Sequence, residues 1–227
     1  MTTEFYNDNA ELLARQYLST SFEEVHACWL SHLNPLFDSH VSGLSILDVG
    51  AGIGRDAKYL AQRAPNKKAD VVAVEPAHLL ADLGKKYTKG HNVTWIVDSL
   101  PRLNRLAIYQ NGFNLILLSA VWMHIPPNER SISLQTLENL LAPHGKLVIS
   151  LRHGPNNDAR VMYPLSVDEL KTMAKRAHLT IVDSSDRDSD KLGRTQVFWE
   201  TVVLQRANDP VANATKVNCP AENDRPE

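Results

Sequence analysis

The glycine-rich turn at residues 48–54 constrains this chain more than any other feature of its sequence. A short apolar strand ends at Asp48, and a turn with Gly50, Gly52 and Gly54 follows before a helical pattern begins. Glycine has no Cβ and accepts strained dihedrals, so the main chain can come very close to a ligand there. Open α/β sheets bind their ligands at the carboxyl ends of their strands. The turn therefore predicts a ligand site at the end of the first core strand.

Two adenosine cofactors could use such a turn. A dinucleotide fingerprint requires G-x-G-x-x-G, but Arg55 stands where the last glycine of that pattern should be. Glu75 ends a second apolar strand at residues 71–74. An acid at this place can accept strong hydrogen bonds from both hydroxyls of a ribose. The turn pattern therefore disfavours a nicotinamide-dependent dehydrogenase and leaves a different adenosine cofactor.

Two segments carry a resemblance to a known family. Asp-Val-Gly-Ala-Gly-Ile-Gly at residues 48–54, followed by Ala-Val-Glu-Pro at residues 73–76, resembles motifs I and II of class I S-adenosylmethionine-dependent methyltransferases. The resemblance implies S-adenosylmethionine as cofactor and S-adenosylhomocysteine as product. It also implies an α/β fold with a seven-stranded, mostly parallel sheet, helices on both faces and an antiparallel final strand.

The order of elements along the chain agrees with that fold, because strand and helix patterns alternate after residue 44. An N-terminal helical segment at residues 1–40 precedes a Rossmann-like domain at residues 41–206, and residues 207–227 are expected to be a disordered tail. In the resembled family, an added N-terminal segment often folds over the cofactor as a lid. The strands are predicted at residues 44–48, 70–74, 93–97, 113–118, 145–151, 179–183 and 196–204, and the helices at residues 55–64, 76–88, 128–141 and 166–178, with two short helices within residues 4–34.

The predicted cofactor-binding residues share one property: they follow the ends of the first four strands. Glu75 would bind the ribose, with a solvated acid at the start of a helix as the alternative. Asp98 and the backbone N–H of Ser99 would bind the adenine, as in motif III of the resembled family, unless Asp98 only opens the turn before Pro101. Asp56 is expected to cap the following helix, with a contact to the cofactor ammonium as the alternative. Trp122 could present its π face to the sulfonium or be part of the core. The full set is Asp48, Gly50, Ala51, Gly52, Gly54, Asp56, Glu75, Pro76, Asp98, Ser99, Leu100, Ser119, Ala120 and Trp122.

Three residues are candidates for catalysis. His124 follows the fourth strand, and its side chain titrates near neutral pH, so it could act as a general base or simply cap the strand–helix junction. Arg152 follows the fifth strand and could bind a substrate carboxylate with two hydrogen bonds, or be an ordinary surface residue. Tyr17 could contact cofactor or substrate, or pack in the core. The chain lacks the Asn/Asp-Pro-Pro-Tyr/Phe sequence that marks amino-group methylation of bases or glutamine.

Net charge and the distribution of apolar and acidic residues limit the partners, metals and location that the sequence predicts. The formal net charge of −2 gives no global basic field for nucleic acid. No stretch has the length and apolarity of a membrane span, and the N-terminus lacks a signal-peptide pattern, so a cytoplasmic location is expected. Asp186, Asp188 and Asp190 alternate, but Lys191 and Val197 occupy the sixth and twelfth positions of an EF-hand loop, so no metal is predicted.

Three functions remain possible from sequence. The first is methyl transfer to a small-molecule acceptor. The second is different chemistry on the same cofactor, such as cyclisation or lyase cleavage of its aminobutyrate arm with release of methylthioadenosine, which a closed cavity without room for an acceptor would favour. The third is a non-catalytic binding protein, or an enzyme that modifies RNA or protein, for which a basic patch beside the cavity would argue.

Overall fold

The computed structural model describes residues 2–39, 43–63 and 69–209. Eight α-helices and eight strands lie in this part of the chain. The α-helices are α1 (Thr2–Asp8), α2 (Ala10–Tyr17), α3 (Phe22–His26), α4 (Leu30–Ser39), α5 (Arg55–Gln62), α6 (His78–Tyr87), α7 (Pro127–Leu140) and α8 (Val167–Arg176). The strands are β1 (Leu44–Val49), β2 (Ala69–Val74), β3 (Val93–Ile96), β4 (Phe113–Leu118), β5 (Leu141–His153), β6 (Leu179–Ser184), β7 (Asp188–Ser189) and β8 (Phe198–Arg206).

The strands form one sheet in the order β3-β2-β1-β4-β5-β8-β6, and β7 pairs with the edge of β8. Strands β1 to β5 pair in parallel, whereas β8 is antiparallel to both β5 and β6. The predicted fold class, with its antiparallel final strand, is confirmed. The two-residue strand β7 was not predicted, because it lies in a polar stretch without any alternation of apolar residues.

Apolar side chains cover both faces of the sheet, as a central parallel sheet requires. On β1, Leu47 points to the face covered by α7 and α8, and Ile46 points to the face covered by α4 and α5. The same alternation continues along β4 between Ile116 and Leu115, because successive side chains of a strand point to opposite faces. The carboxyl ends of β1, β2, β4 and β5 are thereby fixed side by side.

The N-terminal segment contains four α-helices rather than the predicted two. The Ser21 Oγ accepts the Glu24 N–H at 3.1 Å, and the Glu24 carboxylate accepts the Ser21 N–H at 2.6 Å, so the chain starts a new helix there with a capping box. Trp29 and Leu33 are buried in the sheet core, whereas α1 and α2 contact α6. The first two helices are therefore placed like a cover at the ends of the strands.

The C-terminal limit of the fold differs slightly from the prediction. Residues 207–209 were assigned to a disordered tail, but Ala207 donates its N–H to the His178 carbonyl at 2.8 Å, and the Asp209 carboxylate accepts the His144 N–H at 2.8 Å. The remainder of the predicted tail, residues 210–227, lies outside the described residues. Within the described residues, no helix combines the length and apolarity needed to cross a membrane.

Candidate active site

A cavity of about 410 Å³ lies at the carboxyl ends of β1, β2, β4 and β5, under α1 and α2. Such a position is the usual ligand site of an open α/β sheet. Most of the residues predicted from sequence line it: Tyr17, Asp48, Gly50, Ala51, Gly52, Asp56, Glu75, Pro76, Asp98, Ser99, Leu100, Ser119, Ala120, His124 and Arg152. We call the part around the glycine turn, Glu75 and Asp98 the β2 side, and the part around His124, Arg152 and Arg160 the β5 side.

The glycine turn on the β2 side has a backbone that other residues rarely adopt. The φ angles of Gly50, Gly52 and Gly54 are +72°, +57° and +78°, in the left-handed region that favours glycine. A Cβ added to Gly50 would lie 2.4 Å from the Val121 Cγ2. The N–H groups of Gly50 and Ala51 both donate to the Val74 carbonyl, at 2.8 and 2.9 Å. Both N–H groups are therefore already hydrogen-bonded within the chain. The turn lets a ligand come close to the backbone but does not donate these two hydrogen bonds to it.

The buried Glu75 carboxylate connects the two strand ends of the β2 side. Its Oε2 accepts the Gly52 N–H at 2.9 Å, and its Oε1 accepts the Ala77 N–H at 2.8 Å. Burial raises the pKa of Glu75, and the two backbone donors oppose that shift. A carboxylate has about four acceptor positions, so each oxygen keeps one for a further donor. This arrangement fits a group with two neighbouring hydroxyls, such as a ribose.

Asp48 is fully buried and only partly paired. It accepts the Ala57 N–H, whereas its Oδ2 has no hydrogen-bond partner in the described part of the chain. Burial raises the pKa of Asp48 well above its usual value, and the nearby Asp56 and Glu75 add to the rise. An unpartnered buried oxygen is costly. Because Asp48 lines the cavity, a cationic donor of a ligand, such as the ammonium of S-adenosylmethionine, would satisfy it.

Asp56 does not cap α5, contrary to the sequence expectation. The N-cap of α5 is Gly54 and has no side-chain bond. Asp56 instead accepts hydrogen bonds from the His26 Nε2 at 2.9 Å and the Arg55 Nε at 2.6 Å. Trp29 donates its indole N–H to the His26 Nδ1 at 3.0 Å, so the ring proton is on Nε2. Burial acts to raise the pKa of Asp56, but His26 and Arg55 outweigh it and lower the pKa.

Two further predicted contacts are not part of the cavity. Trp122 is buried in the core on the α7 side of the sheet and does not line the cavity, because the turn after β4 directs its indole inward. Gly54 is also outside the lining; a Cβ there would lie 2.7 Å from the Trp95 ring and 2.9 Å from Thr88. The third glycine is therefore explained by packing of the turn against β3 and α6.

The loop after β3 lines the β2 side, but its internal bonds differ from the expectation for Ser99. The Ser99 N–H donates to the Asp98 Oδ1 at 2.8 Å, and the Arg105 N–H donates to the Asp98 Oδ2 at 2.8 Å. The Ser99 N–H is thus used by its neighbour instead of facing a ring nitrogen. Leu100 contacts the core and the cavity and offers an apolar surface to a flat ligand.

The end of β4 separates the two sides of the cavity. Ala120 has a φ of +59°, an uncommon conformation for a residue with a Cβ and a sign of strain near a functional site. Its N–H donates to the Ser150 hydroxyl at 2.8 Å. Ser119, Ala120 and Ser150 line the cavity together, so β4 and β5 are joined at this point.

His124 lies in a hydrogen-bonded chain on the β5 side. Its Nδ1 is 2.9 Å from the Val161 carbonyl oxygen, and its Nε2 is 2.9 Å from the Tyr6 hydroxyl. A carbonyl can only accept, so Nδ1 carries the ring proton and Nε2 accepts from Tyr6. Burial lowers the pKa of His124, which keeps the ring neutral at pH 7. Tyr6 is also bonded to Tyr17, whose ring lies 3.6 Å from the position of a Cβ on Gly52.

The structure adds two residues that the sequence analysis missed, Tyr6 and Arg160. Tyr6 is in α1, and Arg160 follows β5; the Arg160 Nη1 lies 3.5 Å from the Tyr6 hydroxyl. Both line the cavity. Neither lies in a motif, and 154 positions separate them in the chain. No group of three or more His, Cys, Asp or Glu side chains suited to a metal ion occurs among the described residues.

Comparison with known proteins gives one family match and many structural matches. The methyltransferase domain family matches residues 46–145. A search among curated protein sequences found no match. The structural neighbours include a TehB-like S-adenosylmethionine-dependent methyltransferase from Corynebacterium glutamicum, with 22% identity, a TM-score of 0.55, and coverage of 76% of this chain and 85% of that one.

Two other neighbours were crystallised with S-adenosylhomocysteine. The 1,6-didemethyltoxoflavin-N1-methyltransferase of Burkholderia thailandensis, which also holds 1,6-didemethyltoxoflavin, has 22% identity and a TM-score of 0.57, over 88% of this chain and 90% of that one. The magnesium protoporphyrin IX methyltransferase of Synechocystis PCC 6803 has 14% identity and a TM-score of 0.62, over 91% of this chain and all of that one.

The family match covers the glycine turn, Glu75 and the end of β4, which form one wall of the cavity. The resemblance found in the sequence is confirmed, as is S-adenosylmethionine as the cofactor of this family. Residues 46–145 therefore match the methyltransferase domain family, and the sheet that contains them has the fold of the class I S-adenosylmethionine-dependent methyltransferases.

Proposed function

We propose that this protein transfers a methyl group from S-adenosylmethionine to a small-molecule acceptor bound on the β5 side of the cavity. The observation that carries the proposal is the extent of the cavity. It continues from Glu75 and Asp98 past the end of β4 to Arg152, Arg160 and Trp199. A volume of about 410 Å³ is in the range of small-molecule sites.

The residues of the β2 side fit the cofactor. Glu75 would accept bonds from the ribose hydroxyls, the free Oδ2 of Asp48 would face the ammonium, and Leu100 would pack against the adenine. When bound, S-adenosylmethionine supplies a methyl group on a positively charged sulfur that is a good leaving group. The chain then has to position the acceptor, exclude water and accept a proton.

On the β5 side, the neutral Nε2 of His124 can accept that proton through Tyr6. The Tyr6 hydroxyl donates to Nε2, and the Val161 carbonyl holds the other ring nitrogen in its protonated form. An acceptor group that replaces the Tyr17 hydroxyl as a donor to the Tyr6 oxygen would pass its proton to that oxygen while Tyr6 passes its own proton to Nε2. Burial lowers the pKa of His124, so Nε2 is unprotonated at pH 7 and can accept a proton.

The first two helices are proposed as the lid. Tyr6 of α1 and Tyr17 of α2 line the cavity, while Ala10 of the same segment packs against Leu80 of α6. A cover that opens would admit the ligands, and a closed cover would keep water from the reacting groups.

We propose a small-molecule acceptor rather than nucleic acid, because the chain has a net charge of −2 and neighbours with named acceptors act on small molecules. A cytoplasmic location remains a prediction.

The test is incubation of the purified protein with S-adenosylmethionine that carries a deuterated methyl group. One sample contains no acceptor, one contains the low-molecular-weight fraction of a cell extract, and one contains the macromolecular fraction. The proposal predicts S-adenosylhomocysteine and labelled small molecules in the second sample only, and no label with Glu75→Ala. Methylthioadenosine in the first sample would show cyclisation or lyase chemistry instead, and label only in the macromolecular fraction would show an RNA or protein acceptor.

A further inference from the structure

One cationic side chain on the β5 side lacks a partner of opposite charge. Arg152, near the end of β5, is 8% exposed and lines the cavity. Its Nη1 and Nη2 donate to the carbonyls of Gly154 and Pro155 at 3.3 and 2.7 Å. Its Nε is buried and has no hydrogen-bond partner in the described part of the chain. Since a guanidinium carries five N–H donors, three of them have no acceptor among the described residues, and two of these three are on Nη1 and Nη2.

The two neighbouring arginines of the cavity are neutralised. The Arg160 Nε lies 2.9 Å from the Asp158 Oδ1, and its Nη2 lies 2.5 Å from the Asp158 Oδ2. Arg194 makes the same two-bond contact with Asp190, at 2.9 and 2.5 Å. Among the described residues, no carboxylate forms an ion pair with Arg152. Of the three arginines on this side of the cavity, Arg152 is therefore the one without a carboxylate partner in the described residues.

The position of Arg152 separates it from the nucleoside site. Glu75 follows β2, Arg152 is in β5, and β1 and β4 lie between them. Three strand spacings of about 4.8 Å place the two strands about 14 Å apart. Ser150, two residues earlier on the same face of β5, contacts the end of β4. The end of β4 thus lies between the Arg152 guanidinium and Glu75, the residue proposed to bind the ribose.

We infer that Arg152 binds a carboxylate of the methyl acceptor, and that the acceptor is a small aromatic carboxylate. This inference rests on the proposed function and specifies its substrate class. Two oxygens of a planar anion match the fork of a guanidinium. The aromatic part follows from the walls, because Trp199 is paired with Arg152 across β5 and β8, and Tyr6 and Tyr17 line the same cavity. Burial lowers the pKa of Arg152, and the charges of Asp190 and Asp158 partly offset those of Arg194 and Arg160. An anion bound here would stabilise the charged guanidinium.

The probes for this inference are benzoate and its neutral analogue benzamide. Each is titrated by calorimetry into protein saturated with S-adenosylhomocysteine, using wild type, Arg152→Gln, Arg152→Lys and Arg176→Gln. Arg176 is an exposed residue in the last turn of α8 outside the cavity, so its loss controls for net charge. We expect benzoate to bind wild type more tightly than benzamide, and Arg152→Gln to weaken benzoate by about tenfold or more. Arg152→Lys should give an intermediate loss, and Arg176→Gln no loss.

Each other result overturns the inference. Equal binding of benzoate and benzamide to the wild type, or no binding of benzoate, would show that the β5 side does not select an anion. Equal benzoate affinity in wild type and Arg152→Gln would assign the selectivity to another group. Loss of S-adenosylhomocysteine affinity in Arg152→Gln with an unchanged thermal unfolding transition would assign the guanidinium to the cofactor carboxylate. If Arg152→Gln does not fold, the wild-type comparison and Arg152→Lys decide the question. Failure of wild type to bind S-adenosylhomocysteine is a separate result and contradicts the proposed function itself.

Discussion

The β2 side and the β5 side of the cavity are built in different ways. The β2 side uses backbone groups and acids that follow the first three strands, from Asp48 to Asp98. Its main ligand-binding group, Glu75, is buried and held by two backbone N–H groups. The β5 side uses long side chains from distant parts of the chain, from Tyr6 in α1 to Arg160 after β5. Backbone geometry suits an invariant cofactor, whereas exchangeable side chains suit an acceptor that differs between enzymes of one fold.

The largest effect is expected from the backbone of the β2 side. Gly50→Ala places a Cβ in a left-handed conformation and 2.4 Å from the Val121 Cγ2. We expect a loss of about 3 kcal/mol in the free energy of unfolding, the sum of backbone strain and overpacking, and loss of measurable S-adenosylhomocysteine binding. Gly90→Ala is the matched control, because Gly90 has a φ of +86° but no atom within 4 Å of the added Cβ. Denaturant unfolding should show that Gly90→Ala lowers the free energy of unfolding by only about 1 kcal/mol. Equal losses in the two variants would refute the steric explanation.

A side chain of the β5 side should affect turnover and not cofactor affinity. We expect His124→Gln to lower kcat/KM by about 100-fold, as for loss of a general base, and to change S-adenosylhomocysteine affinity by less than about twofold. Tyr6→Phe removes only the hydroxyl that donates to Nε2 and should give a loss in the same direction. Rates are measured with the acceptor found in the labelled-methyl assay. Unchanged kcat/KM in both variants would leave His124 as a residue that only holds the loop at Val161.

The contact between the N-terminal segment and the methyltransferase domain should be mainly a stability feature. Asp56→Asn removes the charge that pairs with His26 and Arg55 in a buried position, and we expect the free energy of unfolding to fall by about 2 kcal/mol. The exposed pair of Asp82 and Lys85 provides the control, since Asp82→Asn should cost less than about 0.5 kcal/mol. Similar costs for the two variants, measured by denaturant unfolding, would show that burial does not strengthen the His26–Asp56 contact.

The smallest expected effect is the dependence of activity on pH, which the protonation of His124 should cause below neutral pH. Burial lowers its pKa below the usual 6.5, so the neutral form that accepts a proton predominates at pH 7, and activity should fall as the pH drops through that lowered pKa. A profile of kcat/KM against pH checks this, and His124→Gln should lack the acid limb. A wild-type rate that rises on acidification would reverse the assigned protonation state.

The sequence predicted the β2 side well because its determinants are local. A strand, a glycine turn and an acid at the next strand end form a short pattern whose geometry follows from the parallel sheet. Two residues within this region nevertheless make contacts that the sequence did not predict. Gly54 fits the glycine pattern, but its lack of a Cβ allows the turn to pack against Trp95. Asp56 is of a residue type that often caps helices, but it is paired with His26.

The sequence predicted the β5 side only in part because its contacts are non-local. His124 and Arg152 were found by their position after β4 and at the end of β5, but their partners Tyr6 and Arg160 carry no sequence signal. For Trp122 the sequence leaves a contact with the sulfonium and a place in the core as alternatives, because the neighbouring positions do not indicate which way the turn after β4 directs its indole. Only the packing of α7 against the sheet decides that direction.

The most direct test of the account is calorimetric titration of S-adenosylhomocysteine into wild type, Glu75→Ala and Glu129→Ala. Glu129 is another glutamate in the cavity lining, in the first turn of α7, and serves as the matched control. We expect binding to the wild type, weakening of about 100-fold in Glu75→Ala, and a change of less than about threefold in Glu129→Ala. Equal affinity in wild type and Glu75→Ala, with both proteins folded, would contradict the central claim that the carboxylate after β2 holds the nucleoside.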